Sequence, residues 1–182
     1  MTIIIVSLVI LLLVFWFIST YNSFVSGRNK CEEAFSTMDV YLKKRFDLIP
    51  NLVATVKGYA KHEAETLENV IKARNSGISM SAEEISKNEN QISNALRQIF
   101  ALSESYPELK ANENFQSLMR ELSKIEEDIM NSRKYYNGVV KSYNDKIMMI
   151  PSNLVAGLCH FEKKELFIVE DASERQNVKV SF

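Results

Sequence analysis

Apolar residues recur at steps of three and four positions through most of the chain, a spacing that places them on one face of an α-helix. The first stripe runs from Cys31 to Ile71, and charged residues occupy the remaining positions. Gly77, shortly after this stripe, offers a helix stop. The pattern therefore predicts a long amphipathic helical region that buries one face.

Two further stripes follow, each with its own start and stop signals. The sequence SAEE from Ser81 is a capping box, which predicts a second helix that ends at the breaker Pro107. A third helix is predicted from near Asn112 to the residues before Pro151, and a short helix from there to about Leu158. Amphipathic stripes of this kind pack against one another to bury their apolar faces.

The phrase IPNLVA at 49–54 reappears near the end of the chain as IPSNLVA at 150–156. Pro50 has no N–H to donate, and its ring crowds the carbonyl group of Phe46. The apolar stripe keeps its phase across Pro50, which favours a kinked but continuous helix. An unbroken helix over 28–75 is about 70 Å long, roughly twice the length of the second. That mismatch favours a break at Pro50, which leaves four helices of comparable length.

The N-terminal segment TIIIVSLVILLLVFWFIST, at 2–20, is almost entirely apolar, and the first charged side chain is Arg28. About 18 helical residues rise roughly 27 Å, close to the hydrocarbon thickness of a bilayer. Trp16 and Tyr21 stand where interfacial aromatic residues belong. A cleaved signal peptide is the alternative, but the run has no positive start and no small-x-small cleavage site. We predict an all-α fold with an N-terminal transmembrane helix followed by an up-and-down four-helix bundle.

These elements divide the chain into a transmembrane anchor at 1–20, a helical bundle at 21–158 and an irregular tail at 159–182. Arg28 and Lys30 follow the span, so the positive-inside rule predicts a single-pass protein of the cell membrane with its body in the cytoplasm. The tail ends in NVKVSF, whose alternating apolar residues suit the addition of a strand to the sheet edge of a partner.

Composition and motifs narrow the function by exclusion. The net charge is −1 over 182 residues, whereas nucleic-acid binders usually show a basic excess. Cys31 and Cys159 form neither a CxxC pair nor a Cys/His cluster. His62 opens HEAET, which lacks the second histidine of the zinc-protease motif, and no Glu-x-x-His pair or GxSxG is present. We therefore predict no enzymatic activity, no cofactor, no metal site and no nucleic-acid partner.

Three long blocks carry a family resemblance: the region from YNSFVSGRNKCEEAF to VIKAR at 21–74, SYPELKANENFQSLMRELSKIEEDI at 105–129, and YYNGVVKSYNDKIMMIPSNLVAG at 135–157. Together they resemble the LemA family of bacterial membrane proteins. The resemblance implies one N-terminal span, a helical-bundle body and no established enzymatic activity. It also implies an unidentified membrane protein as partner, for which a membrane-bound zinc metalloprotease is one candidate. The stretch from Gly157 departs from the family pattern, so no role is carried over to Cys159 or His160.

The candidate interaction residues lie at the two Ile-Pro phrases. At the first, Asp47 and Asn51 either satisfy backbone groups freed by the proline or belong to a docking surface at the end of the bundle. Two functions stay open: a scaffold or adaptor for other membrane proteins, and a self-associating structural or envelope-stress component. The candidate residues are Arg45, Asp47, Pro50, Asn51, Pro151 and Asn153.

Overall fold

The computed structural model describes residues 1–75 and 82–167, with the backbone alone for residues 75 and 82–90. Every regular element in these ranges is a helix, which confirms the predicted all-α helical-bundle fold. Three predicted features lie outside these ranges: the helix stop at Gly77, the capping box that begins at Ser81, and the NVKVSF end of the tail. The helices are α1 (Thr2–Tyr59), α2 (Ala64–Asn75), α3 (Ala82–Ser105), α4 (Pro107–Ala111), α5 (Glu113–Met148) and α6 (Ser152–Leu158).

Helix α1 continues through Pro50, so the break favoured on length does not occur there. The apolar stripe explains why: Ile49, Leu52 and Val56 are at most 1% exposed and lie on one helical face. Burying each such side chain stabilises the fold by about 1.5–3 kcal/mol. Together these terms outweigh the roughly 3 kcal/mol that a proline costs inside a helix.

The interruption of the first helical region comes later, at residues 60–63. Ala60 closes the last turn by donating its N–H to the carbonyl oxygen of Val56 at 2.8 Å. After a short turn α2 begins, and its Leu67 and Val70 are buried in the same apolar cluster as the stripe of α1. The predicted first stripe is therefore carried by two helices, with the division about ten residues after Pro50.

The described residues form two compact units, and α1 and α5 each contribute to both. Among the described residues, unit 2 takes 40–130 and 167, with a core built from α1, α2, α3, α4 and α5. Asn112 caps α5, because its Oδ1 accepts the N–H of Phe115 at 2.9 Å. Pro107 opens α4 at a position where its missing N–H costs little, and α3 ends before it as predicted. The core side chains include Ile49, Leu52, Val56, Leu67, Val70, Ile99, Leu109, Phe115 and Leu122.

Unit 1 contains residues 1–39 and 131–166, which are the first part of α1, the last part of α5, α6 and the segment after it. Gly27 allows α5 to approach α1 closely, since a Cβ atom there would lie 3.0 Å from Cδ2 of Tyr143. Residues 161–167 follow α6 without helix or strand. The buried apolar residues are Phe24, Cys31, Ala34, Met38, Tyr136, Val140, Tyr143, Val155 and Ala156.

The start of α1 contains an 18-residue window that is long and apolar enough to cross a membrane, and none of that window is buried in the fold. Its large side chains are exposed, from Ile3 at 80% to Phe15 at 71%. Exposure of a continuous apolar surface on this scale is typical of a helix whose surroundings are lipid.

Candidate functional site

The carbonyl oxygen that Pro50 frees belongs to Phe46, and its partner is Arg74 from the last turn of α2. Nε of Arg74 donates to this oxygen at 3.3 Å. The same guanidinium lies over the Phe46 ring, 3.9 Å from its centre. Asp47 and Asn51, the residues considered for satisfying the backbone groups freed by the proline, are both exposed. The sequence carries no pattern that links positions 46 and 74.

Arg45 is buried in unit 2, not displayed on its surface. The residue is 1% exposed, and Nη1 lies 3.0 Å from Oε1 of Glu126 on α5. The carboxylate of Glu126 thereby compensates the positive charge of the buried Arg45 guanidinium. Among the candidates at the first Ile-Pro phrase, Asp47, Pro50 and Asn51 are the exposed ones, and their role in docking stays a prediction.

The second Ile-Pro phrase forms the connection between α5 and α6. Pro151 is exposed at the N-cap position of α6, after a cis peptide bond from Ile150. The side chain that ties this turn is Ser152, whose Oγ lies 2.6 Å from the carbonyl oxygen of Lys146 and 2.9 Å from that of Met149. Within the described residues, the buried Oδ1 of Asn153 has no hydrogen-bond partner. The serine and not the asparagine therefore ties this turn in the described part of the chain.

One side of the α1–α5 pair in unit 1 is covered by the segment after α6. Phe161 stacks on Phe24 with ring centres 5.0 Å apart and meets Tyr21 edge-on at 5.6 Å. Asn144 holds the backbone of Lys164 through two bonds: Nδ2 donates to its carbonyl oxygen at 2.8 Å, and Oδ1 accepts its N–H at 2.9 Å. These contacts fix the segment against both helices.

Further polar contacts hold the covered side together. The hydroxyl of Tyr136 donates to the carbonyl oxygen of Glu165 at 3.0 Å. Burial raises the pKa of Tyr136 and Tyr143 on α5, and it also raises the pKa of the Cys31 thiol on α1. These three groups are therefore neutral at physiological pH.

The other side of the α1–α5 pair is an open groove of about 690 Å³. Small residues create the space: Ser23 and Ser26 on α1 face Gly138 and Ser142 on α5. The charged groups of the lining are the ammonium groups of Lys30, Lys134 and Lys146, and no acidic residue is among the lining residues of the described chain. We name this feature the lysine groove. Its full lining is Ser23, Ser26, Gly27, Lys30, Lys134, Tyr135, Gly138, Val139, Ser142, Tyr143 and Lys146.

The lysine groove offers hydrogen-bond donors and positive charge but no base or nucleophile with an activating neighbour. Nζ of Lys146 donates to Oγ of Ser23 at 3.0 Å, which joins α5 to α1 at one end of the groove. Lysine ammonium groups and serine hydroxyls together suit carboxylate or phosphate oxygens. Among the described residues, no group of three His, Cys, Asp or Glu side chains is placed to hold a metal ion.

The family model described as LemA family matches residues 34–182 of the chain. The chain belongs to the LemA family. Protein LemA of Metamycoplasma hominis is 26% identical over 170 residues, which cover 91% of this chain and 75% of that protein. Magnetosome protein MamQ 2 of Paramagnetospirillum magneticum is 23% identical over 181 residues, or 85% of this chain. Magnetosome protein MamQ of Magnetospirillum gryphiswaldense is 22% identical over a region of the same size.

The chain spans 66% of the length of both magnetosome relatives. Neither the family description nor these relatives' names is that of an enzyme. With the apolar start of α1, the family assignment identifies the chain as a membrane-associated protein of the LemA family. The predicted family and membrane association are thereby confirmed.

Proposed function

We propose that this LemA-family chain is a single-pass, non-enzymatic scaffold or adaptor, and that its lysine groove binds an acidic segment of another membrane protein. The observation that carries the proposal is the position and charge of the groove. Its first lining residue, Ser23, comes three residues after the predicted end of the span at Thr20. A segment that leaves the bilayer beside the span reaches the groove directly.

The groove's charge favours an acidic occupant. Three ammonium groups without an acidic neighbour in the lining attract carboxylates, and the serine hydroxyls add hydrogen bonds. At physiological ionic strength such attraction extends only about 8 Å, so the partner segment has to enter the groove to gain from it. The small residues provide the room for a chain to do so.

The partner is proposed to be a membrane protein in the same bilayer. Arg28 and Lys30 after the span support a cytoplasmic body, and the proposal takes the groove to be on the cytoplasmic side. A membrane metalloprotease, implied by the family resemblance, is the first candidate to examine. Self-association through the same groove is the competing account.

Site-specific photocrosslinking of the full chain in its native membranes tests the proposal. A benzophenone amino acid replaces Ser26 or Ser142, which line the groove, and in the control it replaces the exposed Glu33 on α1. The proposal expects a crosslink to a different membrane protein from the groove positions only. The crosslink disappears in a Lys30→Glu/Lys134→Glu chain and persists in Lys30→Arg/Lys134→Arg.

Two outcomes contradict the adaptor proposal. A crosslinked product that contains only this chain establishes self-association. A crosslink of equal yield after charge reversal shows that the groove's lysines do not bind the partner.

A further inference from the structure

A second apolar surface lies at the connection between α5 and α6. The stretch at 147–161 contains no Asp, Glu, Lys or Arg, and only the N-terminal run exceeds its fifteen residues without charge. Several of its large side chains point away from the protein. The exposed residues are Met148 at 52%, Met149 at 59%, Ile150 at 84%, Leu154 at 68% and Leu158 at 71%. We name these five residues the apolar tip.

The apolar tip is held in place by internal contacts. Val155 and Ala156, on the inner face of α6, are at most 2% exposed. The backbone N–H of Asn153 donates to the carbonyl oxygen of Met149 at 2.8 Å, and that of Phe161 to Ala156 at 2.9 Å. The tip therefore keeps its apolar side chains outward while the opposite face of α6 is packed.

Both ends of this stretch contact α1 just after the span. Before the tip, Lys146 bonds Ser23 at 3.0 Å. After it, Phe161 meets the Tyr21 ring at 5.6 Å. Met148 lies two residues beyond Lys146 on α5, about 3 Å further along the helix. The tip is thereby level with the last residues of the predicted span.

We propose that the apolar tip is a second membrane contact, inserted in the interfacial layer of the bilayer beside the span. An exposed cluster of large apolar side chains is costly in water and favourable at the boundary of the acyl chains. Lys146 lies two residues before Met148, at the level of the bilayer where ammonium groups are favoured beside lipid phosphates. The occupant of this surface is lipid, and its continuity with the membrane-spanning part of α1 is what identifies it.

The test uses the full chain in phospholipid vesicles. A Cys31→Ser/Cys159→Ser background receives one new cysteine for labelling with the fluorophore NBD, either Leu154→Cys in the tip or Glu33→Cys as control. Glu33 is exposed on α1, thirteen residues beyond Thr20, or about 20 Å along the helix. Spin-labelled lipids quench a fluorophore at the bilayer, and aqueous iodide quenches one in water. Trp16, the chain's single tryptophan, reports insertion of the span in the same sample.

The inference expects spin-labelled lipid to quench NBD at Leu154 but not at Glu33. Iodide quenching at Leu154 falls roughly tenfold below that at Glu33, since interfacial side chains lie about 5–10 Å deep. Equal iodide quenching at both sites, with Trp16 quenched by lipid, shows that the tip stays in water and overturns the inference. A Trp16 that lipid does not quench overturns the anchor and the tip together.

A Leu154→Asp/Leu158→Asp chain tests whether the apolar side chains cause the insertion. Both positions are exposed, so the fold tolerates the change. With NBD at Met149→Cys, the inference expects lipid quenching to be lost in this chain. Quenching that persists contradicts a role for the two leucines.

Discussion

The guanidinium of Arg74 stacks 3.9 Å from the centre of the Phe46 ring, and its Nε–H donates to the Phe46 carbonyl oxygen. That oxygen is the one whose helical partner is missing, because residue 50 is a proline. One side chain thus covers the apolar ring and the unpaired backbone group that the proline leaves. The contact fastens the end of α2 to the last third of α1.

This arrangement predicts coupling between positions 50 and 74. Arg74→Lys removes the Nε–H and the planar stacking group, so it lowers the free energy of unfolding by about 1–2 kcal/mol. In a Pro50→Ala chain, residue 50 regains an N–H that can bond the Phe46 oxygen. The same Arg74→Lys change then costs roughly 0.5–1 kcal/mol less.

Denaturant melts of the four chains of this double-mutant cycle, in detergent, give the coupling energy. Lys57→Arg, at an exposed position of α1, serves as the neutral control. Additive effects of the two substitutions contradict the assigned contact.

The ion pair between the buried Arg45 and the partly exposed Glu126 predicts a difference between neighbouring glutamates. Glu126→Gln weakens a charge-assisted bond to a buried guanidinium and lowers the free energy of unfolding by about 1–3 kcal/mol. Glu127→Gln changes an exposed residue and is expected to stay within about 0.5 kcal/mol of the native chain. Thermal melts followed by circular dichroism compare the two, and equal melting temperatures count against the ion pair.

The helices of this fold were predictable because their apolar stripes are long and their stops are marked. Pro107 and Asn112 stand at real helix boundaries. The prediction of a helix break at Pro50 was wrong because the length argument assumed that the whole first stripe packs against a single helix. In the structure that stripe serves two units: Cys31 and Met38 are buried in unit 1, and Ile49 and Val56 in unit 2.

The two glycines of the α1–α5 contact in unit 1 predict opposite responses to alanine. A Cβ at Gly138 meets nothing within 4 Å, so Gly138→Ala raises helix stability by about 0.5–1 kcal/mol. A Cβ at Gly27 lies 3.0 Å from the Tyr143 ring, which is 2% exposed and packs edge-on against Phe24. In Gly27→Ala, overpacking against this ring costs about 1–3 kcal/mol, which exceeds the gain in helix stability that alanine brings.

Melting temperatures check this pair directly. Gly138→Ala is expected to melt higher than the native chain and Gly27→Ala lower. A rise for both removes the evidence for a close approach at Gly27.

The buried thiol of Cys31 and the buried phenol of Tyr143 in unit 1 predict that the free energy of unfolding falls at alkaline pH. Burial raises the pKa of Cys31 above 9.0 and that of Tyr143 above 10.0, so the unfolded chain loses these protons first as pH rises. The unfolded state then binds fewer protons than the folded state, and the free energy of unfolding falls with pH. The stability contributed by these groups is complete below pH 9 and declines from there upward.

Denaturant melts of the native chain and Tyr143→Phe at pH 8, 9.5 and 10.5 measure this effect. The phenylalanine chain has one titrating group fewer and is expected to show a shallower decline. Identical slopes in the two chains rule out a contribution from the Tyr143 hydroxyl.

The polar contacts of the candidate sites were less predictable than the helices. Asn51 and Asn153 follow the two prolines closely, yet the bonds are made by Arg74 and Ser152. Arg74 lies 28 residues from the Phe46 carbonyl oxygen that accepts its bond, so only the packing of α2 on α1 brings the two groups together. The lysine groove likewise depends on the pairing of α1 with α5, because Lys30 stands more than a hundred residues before Lys134 and Lys146.

The continuity of α1 from Thr2 to Ser23 and beyond has a consequence for how a partner finds the groove. A flexible linker would let the lysine groove move to many positions relative to the bilayer. A continuous helix instead fixes the distance of the groove from the bilayer and its orientation about the axis of the span. A membrane protein diffusing in the same plane therefore searches in two dimensions and has to present its acidic segment at that height. Insertion of two or three helical residues before Ser23 would turn the groove by most of a revolution and raise it by only about 3–5 Å.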